Sequence, residues 1–418
     1  MIRFAAKSRD FLAATRCALS WLLYAFAFRS ILASLFAFVL LAATVSAQSG
    51  SSSAPYASMN RDDVAYRGPD RGSTKDLPGD VTTIGVLLPL RRARAAQGTA
   101  LRTAAQMALD DEFASATGTP SRRLALAFRD ESERWGQASS EMVDLIDQQQ
   151  AIALITPADG NIAHQAEQIA NKIAIPILTL SSDATTTRIN IPWIFRLGPS
   201  DADQAKLIAA DIYQRRNLRK VLLIAEDDHD GRVGSEEFMR AVNSLDAAAP
   251  ERMGFNPATS DLASLADTPK SRLPDAIVLW TGPEAATRLL SVSHQVAPSA
   301  VIYLCSKAAQ FSPQSSQPWF SASLISPTTD RASDFAERYR QQTGLEPSVG
   351  AKEIYDAVRL LAAAVRIAGP NRARVRDYLA SGFDYSGVSG AFSFDKAGNL
   401  QGEYVLQRAV EPPIQAAF

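Results

Sequence analysis

The sequence predicts an α/β fold made of two parallel-sheet units in a single chain, and three observations predict it. The chain has 418 residues, more than one ordinary domain holds. Short apolar runs of strand length alternate with stretches whose apolar residues recur at helical spacing. That alternation runs once between residues 81 and 180 and starts again near residue 205.

In the first unit, Val81 to Leu88 reads as a buried strand ended by Pro89. Leu101, Ala104, Ala105 and Ala108 then repeat on one helical face. Leu124 to Phe128 gives a second strand, and Met142, Leu145 and Ile146 mark a helix. Ile152 to Ile155 is a third strand, Ile162 to Lys172 a helix, and Ile175 to Leu180 a fourth strand. In the second unit, helices are expected over 205–213, 235–245 and 283–295, and strands over 220–225, 276–280 and 300–304. Strands joined through helices form parallel sheets covered on both faces. Two such units imply two lobes with a cleft between them. Ligands of these sheets lie beyond the carboxyl ends of the strands, where helix N-termini also point. The loops after Leu88, Ile155, Leu180, Ala225, Trp280 and Leu304 are therefore the candidate site loops.

The ends of the chain differ from this pattern. Arg3, Lys7, Arg9, Arg16 and Arg29 interrupt apolar stretches, and a charge-free run follows from Ile31 to Ala43. It ends in Val45-Ser46-Ala47, a small-residue cleavage pattern, so residues 1–47 read as a signal peptide cut near Ala47. An uncleaved anchor is the alternative, because Phe11 to Phe28 is also apolar apart from Arg16; the run before Ala47 is shorter than a spanning helix needs. No cysteine follows the apolar run, which argues against a lipid anchor. Residues 48–80 are rich in Ser, Gly, Pro and Asp, and are expected to form a disordered linker. Of the two cysteines, Cys17 leaves with the leader and Cys305 stands alone, so the mature chain has no intramolecular disulfide. With 43 basic and 44 acidic residues, the chain offers no electrostatic case for nucleic acid.

Five stretches then resemble the type I periplasmic binding proteins, specifically the branched-chain amino acid and amide-binding group. They are Ile84 to Leu90 with Gly98; Asp130 after the second strand; Ile175-Pro176-Ile177 leading through Ser181 to Thr185 and on to Phe195-Arg196 and Ser200-Asp201; Pro274 to Trp280; and Tyr355-Asp356-Ala357-Val358 followed by Phe383 to Gly390 and Phe392 to Gly398. The resemblance covers about Val81 to about Glu411. It implies two Rossmann-like α/β lobes with parallel central sheets, joined by a three-strand hinge. The implied crossings lie near Gly198, Ser326 and Val388. Lobe 1 is then 81–198 with 327–387, lobe 2 is 199–326 with 388–411, and 412–418 is a tail.

The resemblance also implies where a ligand sits. In amino-acid-binding relatives, hydroxyls and backbone N–H groups of lobe 1 hold the ligand carboxylate, and an acidic residue of lobe 2 meets the ammonium, because a charged ligand leaving water needs oriented partners. Here the turn from Thr156 to Asn161 replaces a serine-rich one, with Gly160 and Asn161 as backbone donors, or with Asp159 or Asn161 acting only as the helix cap. After the fourth strand, Ser181 and Ser182 are candidates. An ungapped match puts Asp183 at the carboxylate-binding threonine, and a two-residue shift puts Thr185 there. Lys307 falls near the acidic ligand partner, so with Asp183 the charges look exchanged relative to an amino-acid site. Gln97 aligns with the side-chain pocket, and Asp230, in the Glu226 to Gly231 turn, is a further contact. That turn lacks the spacing of a calcium loop. Arg91, Arg92 and Arg94 form either a solvated loop or a basic cleft mouth.

Catalysis has little support. His164, His229 and His294 show no metal spacing along the chain, and no nucleophile elbow or phosphate-cradling glycine loop is present. No cofactor, no metal and no enzymatic activity are expected. The resemblance implies a periplasmic, monomeric solute-binding protein that closes on a small-molecule ligand and delivers it to the membrane permease of an ABC transporter. A regulatory or interaction protein on the same fold, such as an activator of cell-wall synthases or a ligand sensor, is the alternative.

Overall fold

A computed structural model describes residues 76–91, 94–115, 122–131, 136–188, 191–260, 273–311, 318–325 and 330–408. The expected leader (1–47) and tail (412–418), Arg92 and the crossing near Ser326 lie outside these residues. No helix among the described residues is long and apolar enough to cross a membrane.

The first sheet has five parallel strands: β1 (Val81–Leu88), β2 (Arg123–Asp130), β3 (Ala153–Thr156), β4 (Ile177–Thr179) and β5 (Ile194–Arg196), in the order β2-β1-β3-β4-β5. Helices α1 (Ala95–Ser115), α2 (Gln137–Asp147) and α3 (Gly160–Ile173) connect its strands and leave β3 wholly buried. This matches the near-continuous apolar runs of the sequence, since a parallel strand covered on both faces needs no polar side. A single turn, α4 (Thr185–Arg188), follows β4.

The chain leaves β5 through Gly198, whose φ of +128° suits glycine, and enters α5 (Asp201–Ala209) through a Ser200/Asp203 capping box. The second sheet contains β6 (Val221–Glu226), β7 (Glu251–Phe255), β8 (Ala276–Trp280), β9 (Val301–Leu304) and β10 (Trp319–Leu324). Helices α6 (His229–Ser244) and α7 (Pro283–Val296) and the short α8 (Ser306–Ala309) lie between these strands along the chain. The chain then forms α9 (Asp330–Thr343), α10 (Val349–Ala368) and α11 (Arg372–Leu379); α9 and α10 bury Phe335, Tyr339, Tyr355 and Leu361 in the core of the first sheet.

Two boundaries differ from those expected. Residues 76–80 are held and not free: the Leu77 N–H donates to the Pro370 carbonyl at 2.8 Å, and Arg122 donates to the Leu77 carbonyl at 2.7 Å. The segment 388–411, expected as one block of lobe 2, divides. Strands β11 (Tyr385–Ser386), β12 (Ala391–Phe394) and β13 (Leu400–Gly402) form a small antiparallel sheet whose Phe392, Phe394 and Leu400 pack into the first core. Only β14 (Tyr404–Arg408) joins the second sheet, antiparallel to β10. The third crossing therefore lies at Glu403, past the expected Val388, because the aromatic face of β12 is buried by the first lobe.

Candidate functional site

Helix α3 starts at the carboxyl end of β3 and is capped by Asp159, whose side chain accepts from the Ile162 N–H at 3.0 Å. Helix α6 starts at the carboxyl end of β6 and is capped by Asp228. The two helix starts face each other across the lobes. The Gly160 N–H donates to both Asp230 oxygens, at 3.1 and 3.2 Å. A Cβ at Gly160 would run into the Asp230 carboxylate and lie 2.9 Å from the His229 ring and 3.3 Å from Asp183, so only glycine leaves room for this approach.

Lys307, on α8, completes a first cluster. Its ammonium pairs with Asp230 and lies 3.3 Å from Asp228 and 3.4 Å from Asp159. Burial works against the charge on Lys307, but the three carboxylates outweigh it and hold the ammonium well above its ordinary range. Burial raises Asp230, only partly opposed by Lys307, whereas at Asp159 Lys307 and the Ile162 N–H overcome burial and lower it. Glu131 borders this cluster, is pushed up to about 7 by burial, and pairs with Arg94, which also donates to Gln97 at 3.0 Å.

Asp183 centres a second cluster. One carboxylate oxygen accepts from the Thr185 N–H at 2.8 Å and hydroxyl at 2.7 Å. The other faces His164 Nε2 at 3.0 Å and, across the cleft, His229 Nε2 at 2.7 Å. Burial would raise Asp183, but the contacts from His164, His229 and Thr185 prevail and hold it well below the usual carboxylate range. His164 is raised chiefly by Asp183, with burial opposing and Glu167 adding to the rise. The Nδ1 of His164 lies 3.0 Å from Glu167. One donor atom each from His164, Asp183 and His229 lie within 4.8 Å of one another, a set able to hold a metal ion.

Ser182 donates to Asp201 at 2.9 Å, as does the Trp280 indole at 3.0 Å. Burial pushes Asp201 up to about 7, aided by the nearby Asp230 charge. Ser181 accepts from the Asp183 N–H at 3.2 Å and so shapes the turn.

The residues named from sequence therefore divide. Gly160, Ser182, Asp183, Thr185, Asp230 and Lys307 meet at the junction of the lobes. Gln97 stands behind Arg94, and Asn161 points outward, exposed, on the first turn of α3. Asp183 and Lys307, the two positions whose charges look exchanged relative to an amino-acid site, each centre a cluster of their own. Sequence reasoning missed His164 and His229, which read as scattered along the chain. One signal was available: His164 follows Gly160 by four residues, which places both on one face of α3. A pocket of about 440 Å³, lined by Arg216, Val301, Phe320 and Arg408 among others, opens at the opposite ends of the second sheet's strands and has no part in this arrangement.

A family model described as periplasmic binding protein matches residues 81–411. A stretch of 110 residues, 26% of the chain, is 36% identical to glutamate receptor 2.7 of Arabidopsis thaliana and spans 11% of that much longer relative. Among solved structures, the branched-chain amino acid transporter substrate-binding protein LivJ from Streptococcus pneumoniae, in complex with isoleucine, matches with a TM-score of 0.67 at 22% identity, over 78% of this chain and 95% of that one. The solute-binding protein of an ABC transporter from R. palustris, in complex with benzoate, matches with a TM-score of 0.66 at 17% identity, over 78% of this chain and 92% of that one. At such identities the likeness shows the two-lobed fold.

Proposed function

The chain belongs to the periplasmic binding protein family, and from that premise we propose that it is an extracytoplasmic solute-binding protein that closes on a small polar metabolite. The metabolite is an amino acid, amide or similar compound, delivered to the membrane permease of an ABC transporter by a monomer exported through its leader. One observation carries this reading: charged groups from both lobes converge at the carboxyl ends of the two sheets, with Gly160 and Asp183 on one side and Asp230 and Lys307 on the other. Acidic groups outnumber basic ones there, since Asp159, Asp183, Asp228 and Asp230 face Lys307 and two imidazoles. A cationic nitrogen on the solute would suit this balance by taking over the part of Lys307, which favours an amino acid over a neutral amide. Binding and hinge closure, with no chemical step, make up the activity.

A thermal-shift screen of the protein against amino acids, amides, polyamines and organic acids tests this. A ligand at a hundred times its Kd adds about 2.7 kcal/mol of stability, an easily read shift. A shift confined to amine-bearing compounds, lost in Asp230→Asn, supports the reading.

One feature favours the alternative, a regulatory or interaction protein. Asp230 takes the first amide of α3 and Lys307 has three carboxylate partners, so the polar groups of the two lobes satisfy one another directly. Silence across the whole panel would favour that reading.

A further inference from the structure

We propose that His164, Asp183 and His229 form a binding site for a divalent transition-metal ion of the zinc class, which bridges the two lobes. This inference is independent of which solute the cleft takes. The donor chemistry is that of a zinc site with an open position: two imidazole nitrogens and one carboxylate oxygen. His164 and Asp183 come from α3 and the loop after β4 in the first lobe, and His229 is the first residue of α6 in the second. The three donor atoms lie within 4.8 Å of one another, with His164 and His229 Nε2 at 3.0 and 2.7 Å from Asp183 Oδ2. Donors on a tetrahedral zinc, each at about 2.0–2.2 Å, lie about 3.3 Å apart. The two Asp183 contacts would open by a few tenths of an ångström, and the two imidazole nitrogens, now within 4.8 Å of each other, would draw together around the ion.

Two further features point to a ligand set and not a simple hydrogen-bond cluster. The other nitrogen of His164, Nδ1, faces the buried Glu167 carboxylate at 3.0 Å, the outer partner that fixes a metal-ligating imidazole with its Nε2 lone pair outward. Asp183 is likewise oriented for the task. Its Oδ1 is held by the Thr185 N–H and hydroxyl, which leaves Oδ2 for the ion. The imidazoles are the accessible members, with side chains 33% and 28% exposed, while Asp183 is buried at 1%. An ion thus has a route in and an anchored carboxylate at the end of it.

The test uses the purified protein, stripped with EDTA and titrated with Zn²⁺ and then with Co²⁺. One ion per chain is expected, with a visible cobalt spectrum of low coordination number. Glu167→Gln should weaken zinc binding about 10–100-fold, and His164→Ala and His229→Ala should weaken it more than that. Zinc should also protect His164 and His229, but not the exposed His294 on α7, from diethylpyrocarbonate, as located by mass spectrometry. This last readout needs only the wild-type chain, so it decides the matter even if an alanine variant fails to fold. No stoichiometric uptake of either ion, uptake unchanged in the double alanine variant, or equal modification of all three histidines with and without zinc would each overturn the proposal.

Discussion

The backbone amide of Gly160 and the carboxylate of Asp230 join the two lobes at 3.1 and 3.2 Å. The amide is the first of α3, where unpaired N–H groups and the helix dipole favour an anion. Asp230 stands in the first turn of α6, which also carries a partial positive charge, and its charge is matched further by Lys307. One carboxylate thus serves two helix starts and an ammonium at the junction of the lobes.

Gly160→Ala should hold the lobes apart while leaving each of them folded. The added methyl would meet the Asp230 carboxylate and the His229 ring, groups of the opposite lobe. Small-angle scattering should show a larger radius of gyration than wild type, and affinity for any cleft ligand should fall at least tenfold. A radius equal to that of wild type would show that the contact does not govern closure.

Lys307→Met leaves Asp159, Asp228 and Asp230 without their shared cation. Removing one partner of a largely buried ion pair costs about 3–5 kcal/mol, because the remaining charge stays uncompensated. Two of these carboxylates are about a third exposed, which places the expected loss at the lower end, about 3 kcal/mol. Urea unfolding at neutral pH measures it. Adding Asp230→Asn to Lys307→Met should recover part of the loss, since it removes the most enclosed of the stranded charges. A double variant no more stable than Lys307→Met alone would count against this account.

Much of the fold was legible because its strands are apolar throughout. The expected strand over 276–280 matches β8, and the other expected strands fall within two residues at each end of those observed. Strand β7 was missed because it is a mostly exposed edge strand; Glu251 and Arg252 give it neither an apolar run nor a clean alternation. Helix α6 begins at His229, six residues before the expected start, because its first turn carries polar groups into the cleft and offers no apolar periodicity. The site was legible as a set of loops, since the ends of parallel strands must converge. Its pairings were not: whether Lys307 meets Asp183 or Asp230, and whether two histidines far apart in sequence meet at all, depends on how one lobe faces the other.

Asp356 gives the physical reason for the spacing between Tyr355-Asp356 and the later Gly387-Val388-Ser389. Its buried carboxylate accepts from the N–H groups of Val388 at 2.9 Å and Ser389 at 2.7 Å and from the Ser389 hydroxyl at 2.5 Å. Asp356→Ala should cost about 3 kcal/mol, since buried donors left without an acceptor are expensive. Asp356→Asn keeps one acceptor oxygen and should cost less. Chemical denaturation of both variants checks the order; equal losses would mean that packing, and not these bonds, sets the cost.

Glu353 should make the protein less stable as pH rises. It is buried on α10, accepts from the Gln310 side chain at 2.7 Å across the lobes, and is pushed by burial from 4.5 up to about 8. The folded chain therefore keeps this proton at pH values where the unfolded chain has lost it. For an acid raised in this way, stability is undiminished below the unfolded value, declines between about 4.5 and about 8, and is lowest above that. Each unit of difference corresponds to about 1.4 kcal/mol. Glu131 and Asp201, both raised to about 7, add to the same slope, so removing one group reduces it without abolishing it. Glu353→Gln keeps an oxygen for Gln310 and removes the titration. Melting curves at pH 5 and pH 8.5 should show a clear drop for wild type and a smaller one for Glu353→Gln, with the variant the more stable at pH 8.5. The same drop in both proteins would mean that Glu353 is ionised throughout and that its burial has been offset by another group.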